Sequence, residues 1–241
     1  MTKLRKKARI VGFWYLLWSL VGLPSLIYIP GKLYVHGDAV ATATNIAAHQ
    51  TLFQFGIATD LVGSVILIVL VLAFYRLFKD VSRYQAAFLA IIGGILPAAA
   101  SFASTATDVA TLIMVRGPDY LNVFSEAQRD ALAYFFTRVS FGVTVGEGVL
   151  WGVWLFPMAS LILKSRWFPR FLGWWLIISG IFYLALSYAG MFMPEHYQTI
   201  ANYLIPFGVG EIALILWLLV MGAKEKVVTA VAIQKQGAPG A

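Results

Sequence analysis

Six long apolar runs dominate this sequence and restrict what it can fold into. A helix needs about 20 mostly apolar residues to cross the roughly 30 Å hydrocarbon core of a bilayer. Three of the runs are free of charged residues, and the other three contain one acid each, namely Asp60, Glu147 or Glu211. The runs therefore predict an all-α, polytopic transmembrane helix bundle. The six predicted spans cover about 9–30, 51–78, 84–107, 133–163, 170–192 and 200–223.

The composition excludes the other broad classes of protein. The chain of 241 residues is 60% hydrophobic and only 12% charged, whereas soluble domains are about half apolar and about a quarter charged. An intrinsically disordered chain would lack this excess of large apolar side chains. The absence of cysteine excludes thiolate nucleophiles, Cys-ligated zinc and iron–sulfur clusters. We find no phosphate loop, nucleotide fingerprint or hydrolase triad, and we predict no cofactor.

The distribution of positive charge predicts the orientation. The net charge is +7, and cytoplasmic loops of membrane proteins are enriched in Lys and Arg. If the amino terminus is cytoplasmic, every one of the 18 Lys and Arg residues lies on that side except Lys32, Arg116, Arg129 and Arg138. Both termini are therefore predicted to be cytoplasmic, with a basic segment 1–8 and a flexible tail 225–241. Because the basic residues flank apolar runs, the lipid bilayer is the predicted partner and nucleic acid is not.

Two helix starts outside the bilayer can be predicted from capping residues. Ser125 followed by Gln128 fits a capping box, so a helix is expected to begin there and continue into the fourth span. Such a helix would reach Lys164, which makes it longer than the bilayer is thick at about 1.5 Å per residue. The helix must therefore project beyond the bilayer, tilt within it or break. Asp38 is likewise expected to cap a short surface helix that runs through Ala48.

Ionisable residues within or near the apolar runs are the candidate functional residues. An ionised side chain at the bilayer centre costs at least about 2.5–3.5 kcal/mol, so such groups must be paired, protonated or hydrated. Counted from the inner basic residues, Asp108 and Arg138 lie about 37–39 Å out, where a mutual ion pair is expected. Asp60 and Glu147 lie about 24–26 Å from that boundary, and Glu211 about 20 Å.

These depths allow three interpretations. In the first, Asp60, Glu147 and Glu211 line a cavity in the outer half of a ligand-binding or transport-like protein, with Asp108 and Arg138 at its mouth. In the second, the same three acids serve an intramembrane enzyme as general acids or bases on a lipid or isoprenoid. In the third, the acids are protonated and only hydrogen-bond between helices, as in a structural or regulatory subunit.

Further polar and aromatic residues refine the predicted site. Trp151 lies four residues after Glu147, on the same helix face, where an aromatic ring beside an acid could hold an organic cation. Ser101, Ser104, Thr105 and Asp108 form a polar stripe at helical spacing. The residues predict no metal site, because no spacing resembles a metal-binding motif. The expected ligand is a small amphiphilic, cationic or lipid molecule, and the residues indicate no particular oligomeric state.

The carboxyl half of the chain resembles a known bacterial family. The matching segments are Leu155-Phe156-Pro157, Ser165 to Trp174 (SRWFPRFLGW), Ile178 to Tyr183 (ISGIFY) and Gly210 to Leu219 (GEIALILWLL), and Ala8 to Gly12 (ARIVG) also fits. These segments are similar to the membrane family called domain of unknown function 4386, over roughly 7–224. The resemblance implies a multi-pass protein of the bacterial cytoplasmic membrane and no assigned activity. Glu211 is the acid whose surroundings match best.

Overall fold

The apolar runs fold into helices in the computed structural model, which describes residues 2–204 and 207–224. Within these ranges the α-helices are α1 Lys3–Leu23, α2 Ile29–Leu33, α3 Ala39–Ala48, α4 Gln50–Phe78, α5 Arg83–Ala90, α6 Leu96–Arg116, α7 Glu126–Ser165, α8 Arg170–Phe192, α9 Tyr197–Leu204 and α10 Gly210–Val220. No strand occurs in the described part of the chain, so the predicted all-α class is confirmed. The predicted tail 225–241 lies outside the described residues.

In the described part of the chain, five helical segments are long and apolar enough to cross a membrane, as expected of an integral membrane protein. They are Lys3–Leu33, Gln50–Phe78, Arg83–Arg116, Glu126–Ser165 and Arg170–Phe192. The region predicted as a sixth span, 200–223, is divided between α9 and α10. Helix α10 has 11 residues and is therefore about 16 Å long, roughly half the thickness of the hydrocarbon core.

Both predicted capping residues begin helices. The Ala41 N–H donates to Asp38 Oδ1 at 2.8 Å, at the start of α3. At the start of α7, the Gln128 N–H donates to Ser125 Oγ at 3.3 Å, and the Ser125 N–H donates to Gln128 Oε1 at 2.9 Å, which completes the capping box. Helix α7 then continues unbroken for 40 residues, or about 60 Å.

Neighbouring long helices pack antiparallel, and small or polar side chains mark their contacts. Between α6 and α7, the hydroxyl oxygens of Ser104 and Ser140 lie 2.7 Å apart. Between α7 and α8 the backbones approach so closely that a Cβ atom at Gly152 would lie 2.8 Å from the carbonyl oxygen of Gly180. Glycine is required for this approach, because any side chain would separate the two helices.

Helix α10 closes the bundle by packing antiparallel to α1. Its last carbonyl groups accept hydrogen bonds from two arginines of α1: Arg9 Nη2 donates to the Val220 oxygen at 2.8 Å, and Arg5 Nε donates to the Met221 oxygen at 3.1 Å. Cationic donors at a helix carboxyl terminus stabilise it by satisfying free carbonyls and opposing the helix dipole. These basic residues therefore hold α10 to the end of the bundle where the chain begins.

Two π-helical turns interrupt the first and third long segments. Pro24–Tyr28 joins α1 to α2, and Ile91–Ile95 joins α5 to α6. Each begins or ends near a proline, Pro24 or Pro97, whose missing N–H disturbs the regular hydrogen-bond ladder. The second turn packs tightly, because a Cβ atom at Gly93 would overlap the Trp154 indole. Wide turns of this kind change which side chains face the bundle interior.

Candidate functional site

Three carboxyl side chains from three helices form what we call the three-acid site. Asp60 lies on α4, Asp108 on α6 and Glu147 on α7. Asp60 lies close enough to both of the others for their charges to interact. Asp108 and Glu147 are buried, with 8% and 7% of their surface exposed, whereas Asp60 is half-buried. The site therefore lies inside the bundle, and Asp60 is its most accessible member.

Each acid of this site has a serine hydroxyl beside it. Ser101 Oγ donates to Glu147 Oε1 at 3.3 Å, Ser25 lies near Asp60, and Ser140 lies near Asp108. The partners that the structure describes for these three acids include no Lys or Arg side chain. Within the described residues, the Oδ1 atom of Asp108 is buried without a hydrogen-bond partner. A buried carboxylate oxygen in this state is unfavourable unless a proton or a cation occupies it.

Helix geometry explains why these residues meet. Ser140, Glu147 and Trp151 are spaced at i, i+7 and i+11 and share one face of α7. The serines of the predicted polar stripe on α6 face them across the antiparallel contact, where Ser101 reaches Glu147. The first π turn brings Ser25 to Asp60. The stripe is thus an interhelical contact at the edge of the three-acid site.

Tyr34 lies beside the same acids, just after α2. Burial, together with the nearby charges of Asp108 and Asp60, raises the pKa of the Tyr34 phenol above its usual value. The phenol therefore stays protonated at neutral pH, where its O–H can donate a hydrogen bond. Tyr34 adds a neutral donor, and no positive charge, to the three-acid site.

Glu211 belongs to a second site and not to the cavity predicted for it. The Tyr15 hydroxyl donates to Glu211 Oε1, and Tyr183 lies near the same carboxyl group. We call Glu211, Tyr15 and Tyr183 the Glu211 site. The acid stands in the first turn of α10, where the helix dipole favours negative charge. These interactions hold α10 against α1 and α8.

Aromatic rings surround the Glu211 site and extend it toward the three-acid site. The Tyr15 ring meets those of Phe74 and Trp154 at centroid distances of 5.7 and 5.8 Å. Trp151 meets Tyr183 edge-on at 6.3 Å. The indole nitrogens of Trp151 and Trp154 are buried without a hydrogen-bond partner. Trp151 therefore stands between the two sites, four residues from Glu147 and in ring contact with Tyr183.

The predicted ion pair between Asp108 and Arg138 is not formed. Arg138 is exposed, with its guanidinium carbon 4.9 Å from the centre of the Phe141 ring, while Asp108 is buried beside Ser140. The reason is helix rotation: Arg138 is two residues from Ser140, or about 200° around α7. It therefore faces away from the acids, and it is not at the mouth of the three-acid site.

In the described part of the chain, no group of three or more His, Cys, Asp or Glu side chains is arranged to hold a metal ion. Two concave regions are formed elsewhere. One lies at the α7–α8 loop beside Arg166 and Arg170, and the other is an apolar groove between the first π turn and α4.

Several contributors to these sites were missed by sequence reasoning. They are Ser25, Tyr34, Ser140, Tyr15 and Tyr183. The spacing of Ser140 from Glu147, one heptad, could have indicated a shared face. The tyrosines carried no such signal, because aromatic residues are common at every depth of this chain.

Comparison with known families places the whole bundle in one of them. The sequence model described as "Domain of unknown function (DUF4386)" matches residues 10–222. The chain belongs to the DUF4386 family. Both acid sites of this DUF4386 protein fall within the matched region, so the resemblance stated above is confirmed. No curated protein and no solved structure gave a significant match to it.

Proposed function

We propose that this DUF4386 protein binds a small cationic ligand between its helices, at the three-acid site, in a ligand-binding or transport-like role. The observation that carries the proposal is the buried, unpartnered Oδ1 atom of Asp108, which lies beside Asp60 in a group of three acids. A cation that enters this group would supply the missing partner. Glu147, whose charge interacts with that of Asp60, would add a third negative group near the cation.

The energetics of burial support a cation at this site. Each ionised side chain within the hydrocarbon costs at least about 2.5–3.5 kcal/mol, so three unpaired acids would approach the 5–15 kcal/mol stability of a typical fold. The hydroxyl groups of Ser101 and Ser140 lower this cost but leave the negative charge in place. A bound cation would remove most of this energetic cost. Protons on the acids would do the same when no cation is bound. Exchange between protons and a cation is a property that a carrier could use.

The membrane arrangement is part of the proposal. We propose six crossings, the sixth made by α9 and α10 together, with both termini on the cytoplasmic side of the bacterial cytoplasmic membrane. Arg5 and Arg9 meet the end of α10, and the Lys224 N–H donates to the Trp167 oxygen at 3.0 Å. Basic segments thus gather at one end of the bundle, which fits the positive-inside rule. In this orientation the three-acid site lies in the outer half of the bundle.

Neutral substitutions test the proposal directly. The protein in lipid nanodiscs is titrated with tetramethylammonium and with methylammonium, at ionic strength matched by sodium chloride, and binding is measured by calorimetry. We expect Asp60→Asn, Asp108→Asn and Glu147→Gln each to weaken binding at least about tenfold, equivalent to about 1.4 kcal/mol. The matched control is Glu126→Gln, an exposed acid in the first turn of the same helix as Glu147, which should bind like the parent.

Two outcomes would contradict the proposal. One is the absence of saturable binding of either cation by the folded parent. The other is equal binding by the parent and all three acid variants, with a change only in their unfolding free energy. The second result would favour the structural role in which the acids connect helices.

A further inference from the structure

An apolar groove on the outside of the bundle adjoins the three-acid site. The groove has a volume of about 460 Å³, within the roughly 300–1,000 Å³ typical of small-molecule sites. It lies between the first long segment and α4. We call it the lateral groove, and it is lined by Leu20, Leu23, Pro24, Ile27, Tyr28, Leu52 and Phe55.

The first π turn forms part of one wall of the lateral groove and also lies near Asp60. Pro24 lines the groove, and the next residue, Ser25, lies near Asp60. On the opposite wall, Phe55 precedes Asp60 by five residues, which is about 7.5 Å along α4 and about 140° around it. Asp60 is the acid that remains half-buried while Asp108 and Glu147 are buried. The groove and the Asp60 carboxyl group therefore lie on the same two elements, the first π turn and α4.

The chemistry of the two parts selects one class of occupant. A hydrocarbon chain fits the lateral groove because the lining is almost wholly apolar. A positive head group fits beside Asp60, because the partners described for the three acids supply no cation. A phosphate or carboxylate head would meet repulsion from three acids at once. Among amphiphiles, this leaves those with a single chain and a cationic head.

We propose that the ligand is an amphiphilic cation whose chain lies in the lateral groove and whose ammonium head contacts Asp60. This inference rests on the proposed function and adds the ligand class and the route, which is sideways from the bilayer through the gap beside the first π turn. Binding would then require both the groove and the charge.

Photolabelling tests the location of the chain. A long-chain alkyl trimethylammonium with a diazirine in its chain is irradiated with the protein in nanodiscs, and labelled peptides are quantified by mass spectrometry. We expect labelling of residues 20–28 and 52–55 to exceed that of the lipid-facing residues Trp174 and Ile178 by roughly tenfold, which corresponds to a selective site and not to contact with bulk lipid. Asp60→Asn should remove this excess. An alkyl sulfonate with the same chain should never show it.

A matched pair of variants tests the groove without touching the acids. Leu23 and Ile178 are both 47% exposed, and both face outward from the bundle, so neither substitution disturbs the core. We expect Leu23→Trp to fill the groove and abolish the excess labelling, while tetramethylammonium, which has no chain, binds as it does to the parent. Ile178→Trp should leave both measurements unchanged.

The results separate this inference from the proposed function. Uniform labelling of all outward-facing positions, with Asp60-dependent tetramethylammonium binding intact, would overturn the inference and leave the proposed function standing. Groove labelling that persists in Asp60→Asn would overturn the inference as well, because the groove would then accept chains irrespective of charge. If no ammonium ion binds at all, the proposed function and this inference both fail.

Discussion

The hydrogen bond between Tyr15 and Glu211 offers the sharpest test of how the half-length helix α10 is held. Tyr15→Phe removes the donor to Glu211 Oε1 and keeps the ring that packs against Phe74 and Trp154. Since Tyr15 is only 1% exposed, water cannot replace the lost donor. The change therefore isolates one polar contact between α1 and α10.

The size of the effect follows from the surroundings of Glu211. Hydrogen bonds to charged partners contribute about 1.5–3 kcal/mol in proteins, whereas interhelical bonds within membranes average about 0.6 and reach about 1.7 kcal/mol. Tyr183 remains as a second partner of the acid, which lowers the cost of losing the first. We expect Tyr15→Phe to reduce the free energy of unfolding by about 1–1.5 kcal/mol.

A double-mutant cycle measures this contact free of packing effects. Unfolding free energies of the parent, Tyr15→Phe, Glu211→Gln and the double variant are measured by titrating detergent-solubilised protein with SDS. The coupling energy between the two positions should be about 1 kcal/mol. Tyr188→Phe is the control, because Tyr188 lies on α8 with 60% of its surface exposed. Independent sites add within about 0.3–0.5 kcal/mol, so a coupling below that range would refute the reasoning.

Two further predictions concern the helices that carry the sites. Gly152→Ala should lower the unfolding free energy by about 1–3 kcal/mol, because its Cβ would press on the Gly180 backbone. Gly142 has open space around it, so Gly142→Ala should be neutral or stabilising by up to about 1 kcal/mol. SDS titration checks both, and equal effects would argue against the close contact of α7 and α8. Ser125→Ala should lower the stability of the first turn of α7 by about 0.5–2 kcal/mol. Amide hydrogen exchange at residues 126–128 should then be faster than in the parent. Exchange at the parent rate would argue against the Gln128 capping box.

Local features of the chain were predicted well because their physics is local. The apolar runs required helices, since a backbone in lipid must satisfy its own hydrogen bonds. Asp38 and Ser125 cap helices through donors three residues away, so the spacing alone was enough. Depth along a helix is also local, and counting residues placed Asp60 and Glu147 at similar depths, where their charges do interact.

The groupings of the acids were not predictable in the same way. Asp108 was expected to pair with Arg138, but it turns toward Ser140 and the other acids. Glu211 was expected in the same cavity as Asp60, but it is held by Tyr15 and Tyr183. Both differences concern the direction in which a side chain points around its helix. Residue counting measures position along the axis and leaves that direction open.

The sequence by itself determined that this chain is a helical membrane protein with charged groups at particular depths. Its apolar runs exceed what any soluble core needs, and its acids interrupt them at countable positions. Only the tertiary structure decided which acids share a site. The physical reason is that a helix apolar on every side has no preferred face in lipid, where hydrocarbon is as apolar as a neighbouring helix. Close contacts between particular helices, such as Gly152 against Gly180, then set each rotation and with it the three-acid site.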